Sequence, residues 1–229
     1  MKKIIAISMI FIFGTSFIAT FFVQGEEYRS QLETTIVIDA GHGGIDPGSH
    51  TNGVLEKNIN LAIAKKLASF LNRGNINVIM TRTNDTLYKN DRNKDIKQRV
   101  KIINQEKVDL AVSIHVNSFY QPRVSGGQAF YKPKCNKSKQ LASYIQHKFK
   151  ELQPNNHREI CSAHYYLLKN SNVPTVIAEV GFITNPEEKE KLTTPKFQQQ
   201  MAQSIGKGII NYLHNHSDKP PTDHTFALP

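Results

Sequence analysis

Thr35-Ile36-Val37-Ile38-Asp39-Ala40-Gly41-His42-Gly43-Gly44 is the stretch on which the reading of this 229-residue chain turns. Thr35 to Ile38 is an unbroken β-branched run, which suits a strand buried on both faces. It empties through Asp39 into a loop crowded with glycine, and Asp46-Pro47-Gly48 follows at once. Glycine permits backbone with positive φ and lets a ligand approach the main chain closely. A buried strand feeding such a loop marks the carboxyl edge of an open α/β sheet, where ligands sit. The loop lacks the Gly-Lys-Ser/Thr ending of a phosphate-binding P-loop, which argues against a nucleotide site.

Outward from this strand, helical and extended periods alternate. Ile59, Ile63, Leu67, Phe70 and Leu71 recur at helical spacing, with Asn58 placed to cap the helix and Gly74 to stop it. Asn77 to Thr81 reads as a strand, Ile96, Val100 and Ile103 as a helix, and Leu110 to Val116 as a third strand. Gly127 to Tyr131 is a further strand, and Leu141, Ile145, Phe149 and Leu152 form the stripe of a helix that Ser138 is placed to cap. His164 to Leu168 reads as a short strand and Thr175 to Glu179 as a clear one; Phe197, Met201, Ile205, Ile209 and Leu213 give a closing helix. The alternation predicts an α/β fold, a three-layer α/β/α sandwich with a mostly parallel central sheet, over residues 35–214. The tail, 215–229, holds three prolines and no apolar period, and is expected to be disordered.

Ahead of the domain, Lys2 and Lys3 precede an apolar run from Ile4 to Val23, the pattern of an export segment. The run is long enough to span a bilayer core, and Val23-Gln24-Gly25 is a poor cleavage site, so residues 1–25 are read as a signal peptide or a membrane anchor and 26–34 as a stalk. The domain is therefore expected outside the cytoplasm, with its N-terminal segment in contact with the membrane. Hydrophobic residues make up 39% and charged ones 21%, as in an ordinary folded protein. The formal charge of +10 suits a polyanion such as a teichoic-acid-rich wall. Its Lys and Arg are scattered, with no aromatic-interleaved basic block, so no nucleic-acid partner is expected. Cys135 and Cys161 are permitted to pair by an exported location, but nothing in the sequence requires it.

Four residues carry the chemistry. His42 stands in the glycine-rich loop with no apolar pattern around it, which favours a ligand role over a core histidine. His115 ends the apolar run Leu110 to Ile114 and emerges at the same carboxyl edge. Glu56 lies just ahead of the first helix, where the helix dipole is the competing explanation for a carboxylate. Glu179 ends an apolar strand, and burying it without purpose would be costly; a structural pairing with a cation such as Arg99 is the alternative. Two histidines and one glutamate leave a fourth zinc position open, and a second glutamate can take a proton from water there. His157, Cys161 and His164 are close in sequence but lack a fourth nearby ligand, and His214 and His216 sit at a frayed helix end; both groups read as non-metal positions. Arg158 is a candidate contact for a stem-peptide carboxylate, with exposed surface as the default.

The segments Ile38 to Gly44, Glu56, Ser113-Ile114-His115-Val116-Asn117 and Glu179-Val180-Gly181-Phe182-Ile183-Thr184-Asn185, together with Arg82 and Arg99, resemble the zinc-dependent N-acetylmuramoyl-L-alanine amidases. The resemblance runs from Thr35 to about Leu213. It implies a zinc ion, Zn2+, held by His42, Glu56 and His115, and Glu179 as the catalytic base. It also implies peptidoglycan as substrate, cut between N-acetylmuramic acid and L-alanine, and leaves room for an activating protein partner. The short chain with an N-terminal anchor and no wall-binding module looks like the spore-cortex amidases of endospore formers, which prepare muramic-δ-lactam. A zinc peptidase cutting stem-peptide cross-links is the runner-up, separable by product analysis. A non-catalytic wall-binding protein would need no Glu179.

Overall fold

The computed structural model describes residues 34–74 and 76–216. The expected export segment 1–25, the stalk to residue 33 and the tail beyond His216 lie outside the described residues. Among those described, no helix is long and apolar enough to cross a membrane.

The chain opens with β1 (Thr34–Ala40), then a small hairpin of β2 (His50–Thr51) and β3 (Val54–Leu55), leading directly into α1 (Glu56–Leu71). β4 (Ile76–Met80), α2 (Arg92–Ile103), β5 (Val108–Asn117), β6 (Gln128–Tyr131) and α3 (Asn136–Leu152) follow. The rest is β7 (Cys161–Ser162), α4 (Tyr166–Asn170), β8 (Thr175–Phe182), α5 (Pro186–Leu192) and α6 (Pro195–His216). Six strands form one sheet in the order β4-β1-β5-β8-β6-β7. β1 with β5, β5 with β8 and β6 with β7 run parallel, whereas β6 and β8 run antiparallel.

Because side chains alternate along a strand, each central strand feeds two cores. Ile36 and Ile38, Leu110, Val112 and Ile114, and Val176 and Ala178 pack with residues of α1, α3 and α6. Val37 and Ala111 turn the other way, onto Ile103 of α2 and Leu167 of α4. This makes the expected three-layer α/β/α sandwich. The layers are unequal: α1, α3 and α6 have 16, 17 and 22 residues, but α2 and α4 only 12 and 5. Asp39, Ser113, His115 and Glu179 all belong to the alternation that faces the thinner layer.

Three local expectations are corrected, and one helix has no counterpart among them. The first helix starts at Glu56 with Leu55 at its cap position, not at Asn58, because the β2–β3 hairpin delivers the chain straight into it. The helix over Leu141 starts at Asn136 behind Cys135, and Ser138 is not its cap; its hydroxyl accepts from Thr175 N at 3.1 Å. The strand expected over His164–Leu168 is absent. Cys161–Ser162 pairs with β6 instead, and Tyr166–Asn170 is one helical turn that buries the adjacent Leu167 and Leu168 together. The sequence reading also passed over α5, whose seven residues carry no apolar stripe and which is set by local chemistry: Asn185 accepts from Glu188 N at 3.0 Å, and Pro186 opens the first turn.

Candidate metal centre

β1 ends at Ala40, and the next two residues set the site. His42 has φ 62°, a left-handed conformation that costs a non-glycine residue energy unless its surroundings impose it. Two arginines do so. Arg99 donates from Nη2 to His42 O at 2.8 Å and from Nη1 to Ala40 O at 2.6 Å. Arg82 donates from Nε to Ala40 O at 2.8 Å and from Nη2 to Gly41 O at 3.0 Å. Arg99 is itself neutralised by Asp39 at 2.7 Å and Asp95 at 2.5 Å. Burial alone would raise the pKa of Asp39, but Arg99 and the hydroxyls of Ser113 and Thr81 outweigh it and hold the carboxyl at about 2.

His115 leaves β5 beside this loop, and Glu56 meets both histidines from the first turn of α1. Glu56 Oε1 lies 3.2 Å from His42 Nε2 and 3.0 Å from His115 Nδ1, and accepts from Val116 N at 3.1 Å and Asn60 Nδ2 at 3.2 Å. Its Oε2 accepts from Ser49 N at 2.7 Å. Burial opposes ionisation of Glu56, yet hydrogen bonds from His115 and His42 hold it far below the usual carboxylate range. For His42, burial opposes protonation, while Glu56 and Asp46 push it up to about 9.

The donor set fits a zinc ion. One ligand atom from each of His42, Glu56 and His115 lies within 4.8 Å of the others, and no other such group of three or more occurs among the described residues. Two imidazoles and one carboxylate are the donors of a catalytic zinc site. His42 Nδ1 donates to Asp46 Oδ2 at 2.7 Å, and Arg92 lies 3.1 Å from Asp46 Oδ1, so the imidazole is oriented by an outer carboxylate. Glycine makes room: a Cβ on Gly41 would fall 2.3 Å from the His115 ring, and one on Gly48 2.5 Å from Glu56 Oε2.

Glu179 is the lateral neighbour of His115 across the β5–β8 pairing. Its Oε2 is buried and has no hydrogen-bond partner, one of two such side-chain atoms among the described residues; the other is Asn60 Oδ1. Burial pushes its pKa up to about 7, with His115 opposing and Glu56 adding. Such a carboxyl is poised to exchange a proton near neutrality. Arg99, the suggested structural partner, is engaged by Asp39 and Asp95 instead. Beside Glu179 and His115 opens a cavity of about 190 Å³, walled by Ile96, Leu167 and Ile177 and rimmed by the exposed Tyr165 and Tyr166.

The structure therefore gathers His42, Glu56 and His115, and sets Glu179 beside them. It leaves His157, Cys161 and His164 without a ligand cluster, and Cys135 and Cys161 as free thiols. His216 stacks on Tyr212 at 4.8 Å. The role of Asp46 has no signal in the sequence beyond its place four residues after His42 in the same loop.

Known proteins supply the context. The family model described as N-acetylmuramoyl-L-alanine amidase matches residues 36–211. The germination-specific N-acetylmuramoyl-L-alanine amidase of Bacillus subtilis is 37% identical over 194 residues, 81% of this chain and 82% of that protein. The amidase AmiA of Escherichia coli is 30% identical over 232 residues, 81% of this chain and 78% of its own. Among solved structures, the CwlD amidase of Clostridioides difficile in complex with the GerS lipoprotein matches with a TM-score of 0.76 at 37% identity, covering 80% of this chain and 99% of that one.

Proposed function

We propose that the chain, which belongs to the N-acetylmuramoyl-L-alanine amidase family, hydrolyses the amide between N-acetylmuramic acid and L-alanine of peptidoglycan with zinc held by His42, Glu56 and His115 and with Glu179 as the base. Zinc bound there supplies the Lewis acidity that polarises a carbonyl and acidifies a water. The rest falls to the chain. Asp46 holds the His42 ring in place, and the Arg82–Arg99 pair holds the backbone that carries it. Glu179 accepts a proton from the attacking water as the oxygen bonds to the lactyl carbonyl carbon. It returns that proton to the alanine nitrogen as the C–N bond breaks, giving a muramoyl carboxylic acid and an amine; the acid's remaining proton passes to the amine, so the products are a carboxylate and an ammonium.

The observation that carries this reading is the buried, unpartnered Oε2 of Glu179 next to a three-donor cluster. The Bacillus subtilis relative is a germination-specific amidase, which supports a role tied to spore germination; action on spore cortex, in the formation of muramic-δ-lactam, is the finer reading proposed with it. The lipoprotein in the CwlD structure supports a protein partner for this chain as well. Residues 1–25 are read as the element that exports the domain toward the wall, removed or kept as an anchor. Mass spectrometry of muropeptides incubated with the zinc-loaded protein should find intact glycan and stem peptides that begin with a free L-alanine. Cleavage within the cross-links, with muramoyl-alanine left whole, would overturn the reading.

A further inference from the structure

Glu179 has two lateral neighbours. On one side stands His115; on the other, across the antiparallel β6–β8 pairing, stands Gln128. Paired positions project to the same face of a sheet, so Gln128 stands beside Glu179 on the side away from the metal ligands. Its Oε1 accepts from Arg158 Nη1 at 2.8 Å, and its own amide nitrogen is fixed on Glu159 O at 2.8 Å. Arg158 is further held by Nε on Ser125 O at 2.9 Å and by its guanidinium lying 4.4 Å above the centre of the Phe182 ring. Its backbone is pinned too: Asn156 Oδ1 accepts from Arg158 N at 3.0 Å, and Gln146 Nε2 donates to Arg158 O at 3.0 Å.

A guanidinium is thus immobilised at one end of the reaction centre, yet its charge is left unpaired. Among the described residues no carboxylate comes within ion-pair distance of it, and Nη2 has no acceptor. The carboxylate acting on it, Glu188, is committed to Gly126 N at 2.9 Å and Phe182 N at 2.7 Å. Burial lowers the pKa of Arg158, the mark of a cation partly stripped of water. An arginine used only as a brace would spread its donors over main-chain oxygens, as Arg82 does.

We propose that Arg158 anchors a carboxylate of the stem peptide, fixing the peptide half of the substrate on the far side of Glu179 from the metal ligands. This rests on the amidase reading above. The glycan half of the substrate is built of N-acetylated sugars, whereas the peptide half carries carboxylates, the planar anions a guanidinium grips best. Two strand spacings, about 9–10 Å, separate the His115 and Gln128 positions. Extended chain advances about 3.3–3.6 Å per residue, so the span takes up to about three steps counted from the lactyl carbonyl; the first reaches the alanine, and the carboxylate belongs one or two residues beyond it.

The test uses the full-length, zinc-loaded protein and two stem peptides that begin with L-alanine and differ only in whether the acidic residue after it bears a free carboxylate or a carboxamide. Calorimetry should find the free acid bound about ten- to hundredfold more tightly. Arg158→Gln should bring that ratio close to one with zinc content and melting temperature kept, and Arg158→Lys should keep part of it. A wild-type ratio near one overturns the proposal. So does an unchanged ratio in Arg158→Gln, including one accompanied by a lower melting temperature, which would make Arg158 a brace. The muramoyl forms of both peptides, assayed alongside, report on the amidase reading separately: failure to release alanine from either strikes that reading, while the binding ratio still decides the fate of Arg158.

Discussion

Glu179 and Glu56 are both buried glutamates, and their surroundings drive them apart. Glu56 accepts from His42 and His115, a main-chain amide and Asn60, and stays ionised. Glu179 has an oxygen with no donor and titrates near neutrality. Glu179→Gln should therefore keep fold and zinc and lose about a hundred- to ten-thousandfold in turnover, measured with metal content and melting temperature on one preparation. Since burial raises Glu179 to about 7, activity should climb as pH rises through neutrality and the carboxyl ionises, a limb that a bound cation draws downward. A pH–rate profile that is flat from 5 to 8 would count against the base. His42→Ala or His115→Ala should lose the metal, and Glu56→Gln should weaken it. In the metal-free protein His42 is pushed up to about 9, so zinc uptake below that pH must displace a proton. Calorimetric titration in two buffers of different ionisation enthalpy counts that proton, and identical heats would remove the histidine from the ligand set.

At the scale of elements, the end of β1 hangs on α2 through Arg99. Arg99→Met would leave the buried Asp39 carboxylate without its counter-charge, with only the hydroxyls of Ser113 and Thr81, costing about 3–5 kcal/mol in urea unfolding, and would release the left-handed backbone of His42, so zinc affinity should fall as well. A variant of unchanged stability would refute the role given to this pair. The folded pKa of Asp39 is depressed from 3.8 to about 2, so its contribution, about 2 kcal/mol, is full above pH 4 and is lost as pH falls toward 2. β1, β5 and β8 were legible in sequence because strands buried on both faces read as apolar runs, and α1, α3 and α6 because each keeps a stripe. His42, His115 and Glu179 were legible because apolar strands deliver them to one edge. The two shortest helices were not, since five or seven residues hold too little period to read. Nor were the jobs of Arg82 and Arg99, whose bonds to the His42 loop span 41 and 57 residues and exist only once the fold has closed. Ser138 looked like a cap because it precedes an apolar stripe, yet a strand distant in sequence had the better use for its hydroxyl.

For the whole molecule, a formal charge of +10 predicts adhesion to anionic wall polymer that weakens as salt shortens the reach of charge, from about 10 Å at 0.1 M to about 3 Å at 1 M. Sedimentation with purified wall material should show bound protein falling steeply between those salt levels, and salt-independent retention would point to a specific contact instead. The unequal layering has a different consequence. Three long helices pack on one face of the sheet and the shorter α2 and α4 on the other, and on that second side Glu179 lines an open cavity together with Ile96 of α2 and Leu167 of α4. Peptidoglycan is a net whose strands are tied at many points and offer few loose ends, so an enzyme that had to be threaded would find little to grip. A centre open along one flank is laid onto a strand from the side and lifted off again, wherever along the net a muramoyl group happens to face it.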